Sequence, residues 1–244
     1  MRKYYVHEYR RAFHPQAPAW VNDVPAFRAL RHGLDLRRPI TLITGENGVG
    51  KSTLLEGIAV SCGFNARGGA YGEAVTGRGN PLRHAATLLR GPLPMNGHFL
   101  RAEAHYEVSS EFNLTYDTDL YALSHGESVL RIVQDSFHGA GLFLLDEPES
   151  GVDIENISVI AEGLRIILEK DQPISKRKRS AIIITHTGFI LDYIKADIAF
   201  VIMNGHVLGC GAPGEIFEEI RRDGYNKCSS CFAEKFCEEN KGAL

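Results

Sequence analysis

Gly45-Glu46-Asn47-Gly48-Val49-Gly50-Lys51-Ser52-Thr53 gathers in one stretch the groups that hold a polyphosphate. The glycines let the backbone wrap closely, so that several N–H groups point at one anion. Lys51 supplies an ammonium for the β- and γ-phosphates, Ser52 a hydroxyl for Mg²⁺, and Thr53 a further hydroxyl near the α-phosphate. A second group of reactive side chains ends the apolar run Gly141-Leu142-Phe143-Leu144-Leu145. There Asp146 is suited to hold Mg²⁺, and Glu147 to polarise a water aimed at the γ-phosphate. His186 closes another apolar run and is placed to contact the same phosphate. Leu123-Ser124-His125-Gly126-Glu127-Ser128 has two readings: a capping box, with Ser124 at the N-cap and Glu127 three residues on, or a further part of the site.

These groups need particular elements to position them. Ile40-Thr41-Leu42-Ile43-Thr44 reads as a short buried strand, and residues 54–60 as a helix with one apolar face. Strand, glycine turn and helix N-terminus make an anion site, to which the helix dipole adds partial positive charge. The run before Asp146 reads as a parallel strand buried on both faces, with its acids at the C-terminal end where α/β folds bind ligands. Helices are expected after Ser124 and over about 154–169, and strands over 181–185 and 198–203, the last turning at Asn204-Gly205 into a hairpin. Residues 1–10 alternate like an edge strand. Residues 25–36 read as a short helix or turn, 61–82 as a glycine-rich loop, 84–90 as a helix and 97–103 as a strand. Trp20 is expected to pack. Lys176-Arg177-Lys178-Arg179 reads as a solvated loop or as a polyanion contact.

Composition narrows the class. With 244 residues, 44% hydrophobic and 23% charged, the chain suits one large α/β domain or two small ones. A net charge of −3 gives no overall attraction to nucleic acid or anionic membrane, so such contact needs a local patch. No apolar run approaches the ~20 residues of a membrane span, and the first residues hold no signal-peptide core. Five cysteines, an odd number, argue against a disulfide scaffold, and a cytoplasmic setting is expected.

The order of these motifs resembles the ATP-binding-cassette ATPase superfamily: phosphate loop, Leu-Ser-x-Gly-Glu, apolar strand with Asp-Glu-Pro, Ser-Gly-Val-Asp, strand-end histidine. The resemblance covers about residues 40–210. It matches Gly45 to Thr53 with the Walker A motif, and Ser124, Gly126 and Glu127 with the signature motif, His125 replacing the usual glycine. Asp146 matches the Walker B aspartate, Glu147 the catalytic glutamate, Asp153 the D-loop aspartate and His186 the switch histidine. It implies an α/β P-loop NTPase fold: a mostly parallel central sheet flanked by helices, plus an antiparallel N-terminal β portion. It implies ATP and Mg²⁺, hydrolysis, and a homodimer closing around ATP, with Ser124 and Gly126 acting in trans. An aromatic near the N-terminus would stack on adenine, with Tyr9, Phe13 and Trp20 as candidates.

The chain also departs from the family. It has no glutamine between Gln16 and Gln134, and Arg101 or Glu103 is the positional substitute for the glutamine loop. The segment from Glu103 to Leu123 is short, which argues against a transporter subunit. The words Phe-Leu-Arg-Ala-Glu and Ser-His-Gly-Glu-Ser resemble a group of small stand-alone ATPases nearer the RecF/SMC-like branch. The expected organisation is an ATPase domain over 1–226 with a reduced helical subdomain, and a cysteine-containing tail over 227–244. Cys228, Cys231 and Cys237 suit a zinc site with one ligand missing, or else a frayed tail with free thiols. Three functions stay open: a non-transport ATPase coupled to nucleic acid or another protein, the ATP-hydrolysing subunit of a membrane permease, and a slow-turnover switch. Gly211-Ala212-Pro213-Gly214-Glu215-Ile216-Phe217 resembles the tail of transporter ATPases and supports the second.

Overall fold

The computed structural model describes residues 4–12, 14–72, 80–94, 96–101, 119–136, 139–186 and 194–225. The chain runs through β1 (Val6–Arg11), 3-10 turns at Ala19–Asp23 and Ala29–His32 flanking α1 (Pro25–Arg28), then β2 (Leu34–Asp35), β3 (Ile40–Gly45), α2 (Lys51–Cys62) and β4 (Gly69–Ala70). A 3-10 turn (Pro81–His84), β5 (Ala86–Arg90), β6 (Asn96–Arg101) and α3 (His125–Ser136) follow. The last elements are β7 (Gly141–Asp146), α4 (Ile154–Ile167), β8 (Ser180–Ile184), β9 (Ile198–Met203), β10 (His206–Gly211) and a helix α5 over residues 213–225.

Seven strands form the central sheet in the order β10-β9-β3-β8-β7-β6-β4. The five inner strands are parallel, and β10 and β4 join antiparallel at the edges. Side chains alternate between two cores, as the two-residue period of a strand requires. Leu142 and Leu144 of β7 face the layer of α2, and Phe143 and Leu145 face that of α3 and α4. A second, antiparallel sheet, β2-β1-β5, covers the α2 side and contributes Tyr9 and Leu34 to that core. The architecture is the mostly parallel α/β sheet with an antiparallel N-terminal portion that the motif order implies.

Three expectations are corrected. β1 is the middle strand of its sheet, paired with β2 through Tyr9↔Leu34 and with β5 through Tyr9↔Leu88. Residues 86–90 are a strand because β1 offers them a pairing edge; their helix-compatible composition yields to that tertiary contact. Trp20 lies on a 3-10 turn with 46% of its surface exposed, so it is not a packing residue. The expected hairpin forms, with Asn204 and Gly205 both at positive φ (48° and 79°), the geometry of a type I′ turn.

Candidate functional site

The parallel register brings the strand ends level. Leu145 pairs with Ile183 and Asp146 with Ile184, while the Glu147 N–H donates to Ile184 O at 3.1 Å. Gly45 ends β3 two strands from Asp146. At this edge lies a cleft of about 890 Å³, lined by Lys51, Ser52, Glu147, Glu149 and His186 among others.

The phosphate loop owes its shape to its neighbours. A Cβ on Gly45 would fall 2.0 Å from Ile202 O of β9, so this glycine is fixed by the close approach of the next strand. Gly50 caps α2 at φ 90°, and a Cβ there would meet Val24 Cγ1 at 2.3 Å. The Ala26 N–H donates to Val49 O at 2.8 Å, which ties α1 to the loop.

Lys51 is buried, and its ammonium donates to Gly45 O and Glu46 O, each at 2.8 Å. Burial pulls its pKa down to about 8, against the opposing field of Glu147, Asp146 and Glu46. One residue on, the Ser52 hydroxyl donates to Asp146 Oδ1 at 3.0 Å. Two hard oxygen donors in contact beside an ammonium fit Mg²⁺, which takes one or two protein ligands and completes its shell with water and phosphate oxygens. His186 Nε2 and Glu147 Oε1 are in contact, both half-buried. Glu147 holds this position at φ 52°, in the left-handed region.

The sequence reading missed Glu149. It is 5% exposed and lines the cleft, and its carboxyl accepts hydrogen bonds from the Thr185 hydroxyl and the His186 N–H. Burial raises its pKa above the usual carboxylate range, with those two hydrogen bonds opposing and the charge of Glu147 adding to the rise. A third acid just past the Asp-Glu-Pro turn, at the ligand end of a buried strand, was the available signal.

Other expected residues lie apart from the cleft lining. Ser124 and Glu127 form the capping box of α3: the Ser124 N–H donates to Glu127 Oε2 at 2.8 Å and the Glu127 N–H to Ser124 Oγ at 3.4 Å. That hydrogen bonding also lowers the pKa of Glu127. Gly126 is buried beneath this turn. Asp153 is the exposed N-cap of α4, next to cleft residues Ser150, Gly151 and Val152. Arg101 ends β6 but is held by Glu56 Oε2 at 3.1 Å and Ala66 O at 2.8 Å, so its guanidinium is engaged on the α2 side. Tyr9 is fully buried, which removes it as a base-stacking residue. Phe13, Glu103, the His125 side chain, Cys228, Cys231 and Cys237 lie outside the described residues. Among the described residues, no cluster of three His, Cys, Asp or Glu side chains could hold a metal ion, and no helix is long and apolar enough to cross a membrane.

The comparisons agree with the motif order. A family model for an AAA domain, AAA_23, matches residues 25–125. A probable ATP-dependent transporter ycf16 of Pyropia yezoensis is 27% identical over 224 residues, covering 77% of this chain and 85% of its own length. The chain is similar to ABC-type ATPases. The ycf16 protein of Cyanophora paradoxa is 35% identical over 95 residues, 39% of this chain and 34% of that relative. The probable ATP-dependent transporter SufC of Escherichia coli is 36% identical over 84 residues, 34% of this chain and 31% of its own. These two matches thus span about a third of each relative. A nucleotide-free ATP-binding cassette of an ABC transporter covers 90% of this chain and 96% of its own at 15% identity and TM-score 0.48. The likeness rests on the family model, the Pyropia relative and the ordered motifs.

Proposed function

We propose that this chain is an ABC-type ATPase, which binds Mg-ATP in the phosphate-loop cleft and hydrolyses it within a dimer of two such heads. The supporting observation is the convergence, at one sheet edge, of Lys51, the Ser52–Asp146 pair and the Glu147–His186 pair. Loop N–H groups and Lys51 bind the phosphates, Lys51 exchanging its carbonyl partners for phosphate oxygens. Ser52 and Asp146 would hold Mg²⁺, which would supply charge neutralisation for the phosphates. Glu147 orients the attacking water and takes its proton, and His186 fixes the Glu147 carboxylate and reaches the γ-phosphate.

The dimer reading is supported by the placement of the Ser124 turn. The exposed Ser124 turn does not line the cleft of its own chain, so its use in catalysis requires a second head. Mass by light scattering of Glu147→Gln, with and without Mg-ATP, tests this. A doubling with Mg-ATP supports the sandwich, and a constant monomer mass overturns it. The coupled partner is a macromolecule outside the membrane, in keeping with the short segment before Leu123. The names of the relatives, ATP-dependent transporters, favour the second reading, the ATP-hydrolysing subunit of a permease. Co-purification with a multi-span membrane protein would select that reading. A dimer that forms with ATP but releases no phosphate would select the slow-turnover switch.

A further inference from the structure

The charge run that the sequence offers as a polyanion contact is half spent inside the fold. Arg177 pairs with Asp197, and Arg179 donates to Gly139 O and Ile167 O. A different basic surface is assembled from residues scattered along the chain. A second cavity, of about 770 Å³, lies between β1 and β2, the Ala29–His32 turn and the β9–β10 hairpin. It shares no lining residue with the phosphate-loop cleft.

Arg28, Arg31, Arg37 and Arg38 line it, all solvent-facing. The two carboxylates of the cavity are already engaged. Asp35 accepts from Arg37 at 2.9 and 2.8 Å, and Glu8 accepts from Arg10. Arg28 donates to Asp23 O and Arg38 to Arg37 O; the charge of Asp35 reaches Arg38, but no ion pair joins Arg28, Arg31 or Arg38 to a carboxylate among the described residues. Four guanidiniums against two carboxylates therefore line one cavity, in a chain whose net charge is −3. Like charges held this close repel, and a bound anion removes that penalty. The guanidinium fork matches phosphate oxygens bidentately, and ring N–H groups of His7, His32 and His206 add donors. Phe200 and Val207 give the cavity an apolar wall, and its volume falls in the range of small-molecule sites.

We propose that this cavity is a second anion site, which takes a ligand bearing clustered phosphates. Two sources carry that chemistry: a free polyphosphate, or the phosphodiester backbone of a nucleic acid. The inference is independent of ATP hydrolysis, and its test removes the first site.

The full chain carrying Lys51→Ala is titrated at low salt with sodium tripolyphosphate and, separately, with a short labelled single-stranded DNA. At least one probe should bind, with an affinity that falls steeply with salt. Adding Arg28→Ser, Arg31→Ser and Arg38→Ser together should weaken that binding by roughly tenfold or more, at an unchanged melting temperature. The probe that binds identifies the source. Should the triple variant not fold, the exposed single reversal Arg31→Glu is read in the same way. Failure of both probes to bind overturns the proposal, and so does binding that the arginine substitutions leave unchanged. Loss of ATP binding in Lys51→Ala with the probe retained separates this site from the phosphate loop.

Discussion

Ser52, on the first turn of α2, donates a 3.0 Å hydrogen bond to Asp146 at the end of β7, 94 residues away in the chain. Under the proposed function this contact is where Ser52 and Asp146 would hold Mg²⁺. Ser52→Ala and Asp146→Asn should therefore leave the fold intact and remove the effect of Mg²⁺. Nucleotide affinity measured in EDTA should match the parent, whereas added Mg²⁺ should no longer tighten binding. A variant that still responds to Mg²⁺ like the parent would remove that residue from the metal site.

Glu147 combines a functional contact with backbone strain. A non-glycine residue in the left-handed region costs on the order of 1 kcal/mol, and Glu147 sits there at φ 52°. Glu147→Gln keeps size and backbone, so it should retain nucleotide binding while phosphate release falls about 100-fold or more. Glu147→Gly should lose hydrolysis equally yet melt no lower than the parent, because glycine relieves the strain. Steady-state phosphate release and thermal unfolding read the two effects separately. Near-parental hydrolysis in Glu147→Gln would mean that another group handles the water.

Lys51 sets a pH dependence whose sign can be worked out. Burial lowers its pKa to about 8 in the free protein, and bound phosphates raise it again. Below about pH 8 the ammonium is protonated with or without nucleotide, and this group leaves affinity flat. Above that, the free protein loses the proton and binding must take one up. The dissociation constant should then rise by up to about tenfold per pH unit. Calorimetry at about pH 9 in two buffers of different ionisation enthalpy should show uptake approaching one proton, and zero uptake would contradict the shift. Stability moves the other way. The unfolded chain holds this proton up to about 10.5, so the contribution of Lys51 to stability improves as pH rises from about 8 to that value.

Glu149 joins the turn carrying Glu147 to the strand end carrying His186, through the Thr185 hydroxyl and the His186 N–H. It acts as a positioning residue for His186. Glu149→Ala should lower the turnover number roughly tenfold while KM for ATP changes little, and Glu149→Gln, which keeps an accepting oxygen, should recover most of the loss. Because burial raises the folded-state pKa, the folded protein holds this proton at pH values where the unfolded chain has released it. Stability therefore falls as pH climbs above 4.5 through the folded pKa. Glu149→Gln should lack that decline in unfolding experiments across the acid range. Equal turnover in Ala and Gln variants, both near parental, would reduce Glu149 to a packing residue.

The parts of the site legible in the sequence are contiguous. Gly45 to Thr53 and Asp146-Glu147 each follow an unbroken apolar run, and in a parallel sheet such runs end at the same edge. Whatever depended on partners distant in the chain was hidden. Residues 86–90 lack glycine and proline and suit a helix, yet β1 captures them as a strand. Glu149 gained its role only once β8 brought Thr185 and His186 beside it. Ser124 and Glu127 form the capping box, and the spacing alone could not separate that from a signature turn, because both readings use the same hydroxyl and carboxylate.

The charge run shows how far apart two readings of adjacent residues can lie. Arg177 and Asp197 are 6% and 5% exposed, and Arg177 Nη1 donates to both carboxylate oxygens at 2.9 and 3.0 Å. Asp197 also accepts from Lys170 at 3.0 Å and from the Ile40 N–H at 2.9 Å, so it pins the start of β3. Removing one partner of a buried pair leaves an uncompensated charge, at a cost of about 3–5 kcal/mol. Asp197→Ala should therefore lower the urea midpoint sharply, by an amount that hardly changes with salt because the pair is shielded from the solvent ions. Lys178→Ala, one residue from Arg177 but exposed, should stay within about 0.5 kcal/mol of the parent. Equal stability of the two variants would mean that the Arg177–Asp197 pair contributes no more than a surface charge.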